Sequence, residues 1–201
     1  MEKMKAKDFI TLGIFTVLFF VVVMICVFAS AVTVVTYAFG SAIAAVFGGL
    51  IYMLMRAKVA KPWGILLSGF VVGAVEFLIG AGIGTALGFI IGALLAEFIS
   101  RIGQYKNYIL NAIGYAVYMS GFALGTYLPM VVMTEYVDSM SSSNGVNADF
   151  MNKLHEFMSG PMVLAIVAVT FVCGLIGAFL AKLIFKKHFV KAGMIGGSSN
   201  E

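Results

Sequence analysis

The chain has 201 residues, of which 62% are hydrophobic and 11% charged, and its mean hydropathy is +1.06. Soluble domains run nearer about 45–50% apolar and about 25% charged, so a water-soluble globule is excluded, and a chain this apolar is no disordered one either. The formal net charge of +4 does not point to nucleic acid, because the cations sit in short clusters between apolar blocks, as in loops that flank membrane segments. Cys26 and Cys173 lie inside apolar runs and read as small hydrophobes, not as a disulfide framework or a zinc site.

A spanning helix needs roughly 20 mainly apolar residues. After the polar start Glu2 to Asp8, the first such window is 9–29. A softer stretch, Ser30 to Thr36, is expected to turn at the outer surface before a second window at 37–55. Arg56, Lys58, Lys61 and Pro62 break the pattern, and a third window follows at 63–79. The run Gly80-Ala81-Gly82-Ile83-Gly84 predicts a tight turn into a fourth at 84–99, with a fifth at 108–132 and a sixth at 161–185. The small residues Ala29-Ser30-Ala31 resemble a signal-peptide cleavage site, but the apolar run before them exceeds a usual signal core and leads at once into more membrane segment. The expectation is an all-α integral membrane protein, one six-helix domain over residues 1–193 with a flexible tail at 194–201.

Orientation follows from Lys and Arg in short loops. With both ends inside, the cytoplasmic set is Lys3, Lys5, Lys7, Arg56, Lys58, Lys61, Arg101, Lys106, Lys182, Lys186, Lys187 and Lys191, twelve of thirteen. Only Lys153 falls outside. One missed helix would invert every later loop, so this partition favours six crossings.

Gly80, Gly84, Gly88, Gly92 and Ala96 recur every four residues, with Gly69/Gly73, Gly121/Gly125 and Gly174/Gly177/Ala181 as companions. Small residues at this spacing predict close helix packing, or alternatively a surface along which a partner slides. They make no nucleotide-binding loop, since no strand precedes them and no Lys-Ser/Thr follows. Two carboxylates fall inside membrane windows, where charge is costly and marks function. Glu97 is expected to pair with Arg101 one turn on. Glu76 has no basic residue within a turn, and reads either as a structural polar lock or as a ligand contact.

The segment 134–159 is the one long polar loop, and holds Glu135, Asp138, Asp149, His155 and Glu156. Within it, Phe150, Met151, Leu154, Phe157 and Met158 recur at helical spacing after Asn147, a candidate cap. This predicts an amphipathic helix on the outer surface, placed to act as a lid. Methionines 130, 133, 140, 151, 158 and 162 gather at the same end and offer an adaptable apolar lining. No Ser-His-Asp set, carboxylate pair or Cys-His pair comes together, because His155 and His188 fall on opposite sides of the membrane. Binding or transport is expected, not catalysis.

The run Lys7-Asp8-Phe9-Ile10-Thr11-Leu12-Gly13-Ile14-Phe15-Thr16 and the end Lys186-Lys187-His188-Phe189-Val190-Lys191-Ala192-Gly193 resemble the Trep-Strep (MptD-like) family of S components of energy-coupling factor (ECF) transporters. The basic second loop, the Gly-rich junction of the third and fourth helices and Ala96-Glu97 ahead of Arg101 agree. The resemblance extends from about residue 5 to 193.

It implies a substrate-binding (S) component in the bacterial cytoplasmic membrane. Such a subunit captures a vitamin-like or other micronutrient at the outer face and delivers it with a transmembrane coupling protein and two ATPases. The chain would then hold no cofactor, ATP being used by the partners. The implied coupling patch maps to Gly13 and Val17, the latter larger than the alanine of that pattern. The implied outer pocket maps to Thr33, Thr36, Tyr37, Glu76, Tyr118, Tyr127, Glu135 and His155. Tyrosines suit flat ligands and methionine walls large apolar ones. Haem is therefore one candidate substrate, with His155 or an outer methionine as axial ligand. Two other classes remain: a self-contained secondary transporter that uses Glu76, and a membrane assembly protein with no solute.

Overall fold

The computed structural model describes residues 3–133 and 148–195, which form helices and connecting turns with no strand among them. In chain order α1 is Ala6–Ser30, α2 Val34–Ala38, α3 Gly40–Lys58, α4 Gly64–Leu78, α5 Ile83–Ile102, α6 Tyr108–Val132, α7 Ala148–Phe157 and α8 Gly160–Lys191. Five of them, α1, α3, α5, α6 and α8, are long and apolar enough to cross a bilayer. With 15 residues, α4 rises about 22 Å against a hydrocarbon core of about 30 Å.

Local chemistry explains the boundaries that differ from the sequence windows. Thr33 and Thr36 exchange bonds between their hydroxyls and each other's backbone N–H groups, both 3.1 Å, which caps a separate short α2 ahead of α3. At the other end, α8 runs past the expected stop at residue 185. Its backbone kinks at Phe185 (φ −114°, ψ 22°) and continues because Phe189 is buried, edge-on to Tyr108 with ring centroids 5.0 Å apart. Met194, assigned to the tail by sequence, is buried in the same cluster, whereas 196–201 lie outside the described residues.

The long helices close into a ring. α1 packs on α3, α3 on α8, α8 on α6, α6 on α5, α5 on α4 and α4 on α1, while α3 also meets α6 across the centre. The arrangement is inverted relative to a soluble protein. Phe70, Phe77, Ile91, Leu95 and Phe98 on the outside are about half exposed. The interior holds small residues and hydroxyl pairs such as Thr16–Ser68 and Ser41–Thr170, each 2.9 Å. In lipid, close van der Waals packing and interhelical hydrogen bonds replace hydrophobic drive.

The glycine stripe lies inside this ring. Gly84, Gly88 and Gly92 of α5 face Gly125, Gly121 and Tyr118 of α6 backbone to backbone, so close packing is what the stripe does. Gly80 stands outside the stripe, in the turn after α4, where it and Gly82 both take φ 87°, a conformation that favours glycine.

All the basic clusters gather at one end. Lys61, before α4, bonds Asp8 at the start of α1 at 2.8 Å. Glu97, near the end of α5, reaches the start of α4. The opposite end carries α2, α7 and the turn between α4 and α5.

Candidate functional site

A cavity of about 630 Å³ opens at the end away from the basic clusters, walled by α1, α2, α4, α5, α6 and α7. Sites for drug-sized ligands occupy about 300–1,000 Å³, so the space suits a small organic molecule. Most of its wall is apolar or aromatic: Met24, Phe28, Phe122 and Met130 contribute, and Phe150 and Met151 of α7 close one side.

Sequence spacing explains much of this wall. Phe122, Thr126 and Met130 are four residues apart and therefore share one face of α6. Phe150 and Met151 belong to the apolar face of α7, on which Met151 and Leu154 are buried. The other face carries the exposed pair Lys153–Asp149 at 2.7 Å. The hydrogen bond to Asp149 one turn earlier holds the Lys153 ammonium above its usual pKa. Edge-on contact between Phe150 and Tyr37, centroids 5.7 Å apart, joins α7 to α2.

Glu76 is the one charged residue among the described lining. It sits in the last turn of α4, is 2% exposed, and its Oε1 has no hydrogen-bond partner. Tyr37 and Tyr118 lie within electrostatic reach of it, whereas three other hydroxyls of the wall or beside it are committed to the backbone. Thr85 donates to the Ala81 carbonyl and Thr126 to the Phe122 carbonyl, each at 2.9 Å, and the two threonine oxygens lie 3.2 Å apart. Tyr127 donates to the Tyr37 carbonyl at 2.8 Å.

The residues singled out from the sequence divide into those that meet here and those that do not. Tyr37, Glu76 and Tyr127 line the cavity. Thr33 and Thr36 are used in capping α2, with Thr36 also donating to the Ser30 carbonyl at 2.7 Å, and Thr36 borders a separate groove with Cys26 and Phe47. Tyr118 is buried one turn below the wall, stacked on Phe19 with centroids 5.6 Å apart, and its hydroxyl is unpartnered. His155 is half-buried on α7 and is not part of the lining. Glu135, the candidate cap Asn147 and Met140 lie outside the described residues. Met24, Thr85 and Thr126 were not singled out from the sequence; only the four-residue spacing with Phe122 and Met130 marks Thr126.

Glu97 does something other than pair with Arg101. Its carboxylate oxygens accept the Trp63 and Ile65 backbone N–H groups at 2.5 and 3.2 Å, capping α4, whose N-cap residue Trp63 is itself left-handed at φ 69°. The first N–H groups of a helix have no partners of their own, so a carboxylate reaching across from α5 is worth more there than on a neighbouring arginine in water. Beside it Arg56, expected in a solvated loop, is fully buried. It donates to the Val59 carbonyl at 2.8 Å, and its guanidinium lies 5.2 Å from the Tyr105 ring centroid.

Fold and cavity together define a multi-pass integral membrane protein with a solute-sized chamber at one end. The chain belongs to the Trep_Strep family, described as hypothetical bacterial integral membrane proteins, whose family model matches residues 6–191. No curated protein and no solved structure matches it.

Proposed function

We propose that this chain is the solute-binding S component of an ECF-type importer, crossing the membrane six times with both ends in the cytoplasm. The observation that carries this reading is the cavity at the charge-poor end, with a buried carboxylate in its wall and an amphipathic helix closing one side. Twelve of thirteen Lys and Arg residues belong to the other end, which the positive-inside rule assigns to the cytoplasm. In this orientation the cavity faces outward, α7 is its lid, and the short α4 is the sixth crossing, completed by the turn at its end.

The coupling protein is assigned to the face of α1 that holds Gly13 and Val17. Gly13 has no neighbouring atom within 4 Å of where a Cβ would stand, and Val17 is 60% exposed, so a notch lies open for a partner helix. Gly13→Leu should leave the thermal midpoint unchanged and abolish co-purification of the coupling protein and ATPases. Retention of those partners by the variant would remove α1 as the coupling face.

The test of the function is co-expression with a coupling protein and two ATPases, affinity purification, and mass spectrometry of retained small molecules. Co-elution of the subunits with a bound solute is the expected result. Uptake by proteoliposomes that contain this chain alone would replace the reading with a secondary transporter, for which the buried Glu76 is the favouring observation. Haem as the solute has Met24, Met130 and Met151 as candidate axial ligands, but no Lys, Arg or His in the described lining would meet its two propionates.

A further inference from the structure

We infer that the outer cavity takes a small organic cation, an amine or quaternary ammonium on an apolar body, with the Glu76 carboxylate as its counter-ion. This rests on the solute-binding function proposed above and adds the charge of the solute.

Three independent features converge on it. The first is the carboxylate. Burying a charge without a partner is very costly, and Glu76 combines 2% exposure with an Oε1 that nothing in the protein bonds. It also stands in the last turn of α4, where the negative end of the helix dipole adds to the cost of an anion. A cation entering the cavity would relieve both terms at once.

The second feature is the donor–acceptor balance of the wall. A hydroxyl has one proton and two lone pairs. Thr85, Thr126 and Tyr127 each give that proton to a backbone carbonyl. The backbone N–H groups of Gly80 and Ala81, at the same wall, donate to the Phe77 and Glu76 carbonyls. Those N–H groups are thus already used, the three hydroxyl oxygens retain acceptor lone pairs, and an ammonium is a pure donor.

The third is the aromatic content. Phe28, Tyr37, Phe122, Tyr127 and Phe150 all border the space. Aromatic rings attract cations through their quadrupoles, and a carboxylate within an aromatic enclosure is how ammonium groups are recognised in water-poor sites. The thioethers of Met24, Met130 and Met151 are polarisable and adapt to an apolar body of varied shape.

The experiment is equilibrium dialysis at neutral pH with the full chain in nanodiscs, empty nanodiscs being subtracted. The probes are benzylammonium, benzyl alcohol and benzoate, which share a ring and differ in charge. Benzylammonium should bind more tightly than benzyl alcohol by about tenfold or more, with benzoate weakest. Glu76→Gln should abolish that preference while benzyl alcohol still binds, which also shows that the cavity survives. Glu76→Asp, which keeps the charge, should retain the preference.

Equal binding of the ammonium and the alcohol to the wild-type chain would overturn the cation assignment while leaving the solute cavity in place. So would tightest binding of benzoate, or an undiminished preference in Glu76→Gln. If Glu76→Gln fails to fold, Glu76→Asp decides, since loss of the preference with the alcohol still bound would also refute it. Binding of none of the three probes would remove both the cation site and the solute-binding reading.

Discussion

Glu97→Ala should destabilise the protein by about 3–5 kcal/mol, from two orphaned backbone N–H groups at about 1–3 kcal/mol each and the loss of a countercharge near a buried guanidinium. Glu97 is 3% exposed and Arg56 is fully buried, within electrostatic reach of one another. Truncation would leave the guanidinium uncompensated, and its Nε and Nη2 already have no hydrogen-bond partner in the protein. It would also orphan the Trp63 and Ile65 N–H groups that now bond the carboxylate. Trp63 is the single tryptophan of the chain, so its fluorescence reports directly on this bond. A fall in thermal midpoint with a shifted emission maximum is the expected result, and Arg56→Met combined with Glu97→Gln should cost less than the sum of the two alone. An unchanged midpoint and emission for Glu97→Ala would mean that the cap contributes little.

Gly88→Val should be at least as damaging, through geometry in place of charge. A Cβ at Gly88 would stand 2.9 Å from the Gly125 Cα and closer still to the Gly121 carbonyl. Both obstacles are backbone, so no side chain can rotate away, and α5 and α6 must separate. Overpacking costs about 1–3 kcal/mol where side chains adjust. Here the cost should exceed about 3 kcal/mol, because the whole close contact is lost over several turns. The folded peak in size-exclusion chromatography should disappear or broaden. Leu87→Val, one residue away and 47% exposed, is the matched control and should behave as wild type. The two helices also carry Thr85 and Thr126, whose 3.2 Å pairing lies in the cavity wall. Any folded remnant of Gly88→Val should therefore lose solute binding as well.

Much of the fold was legible in the sequence because lipid imposes simple demands. Apolar windows of about 20 residues lie within or close to the observed helices, the glycine-rich break after α4 occurs but is confined to residues 79–82, Gly84 being helical, and an amphipathic helix forms at Ala148–Phe157. The windows failed where a tertiary contact or a local cap decided the boundary. Phe189 prolongs α8 by docking on Tyr108, and the threonine pair separates α2 from α3. The candidate site was legible in part. Glu76 stood out because an ionisable group inside an apolar window is costly, whereas Thr85, Phe122 and Met24 carry no such mark. Tyr118 shows the ambiguity of a tyrosine on a membrane helix: its ring serves the core, stacked on Phe19, while its hydroxyl stays unpartnered within electrostatic reach of Glu76.

Arg56 and Glu97 show the limit most directly. Hydropathy places an arginine beside Lys58 and Lys61 in a solvated loop, and helical spacing places Glu97 beside Arg101. Both rules describe neighbours along one helix. The actual partners, the start of α4 for Glu97 and the Tyr105 ring for Arg56, come from other segments of the chain. Composition and charge pattern alone determined that this protein lives in a membrane, with its cations at one end and a small-residue seam between helices, since the bilayer acts on every residue in the same way. Which helices adjoin, which carboxylate caps a helix and which is left bare in a cavity depend on contacts between distant segments, and only the closed ring of helices decided those.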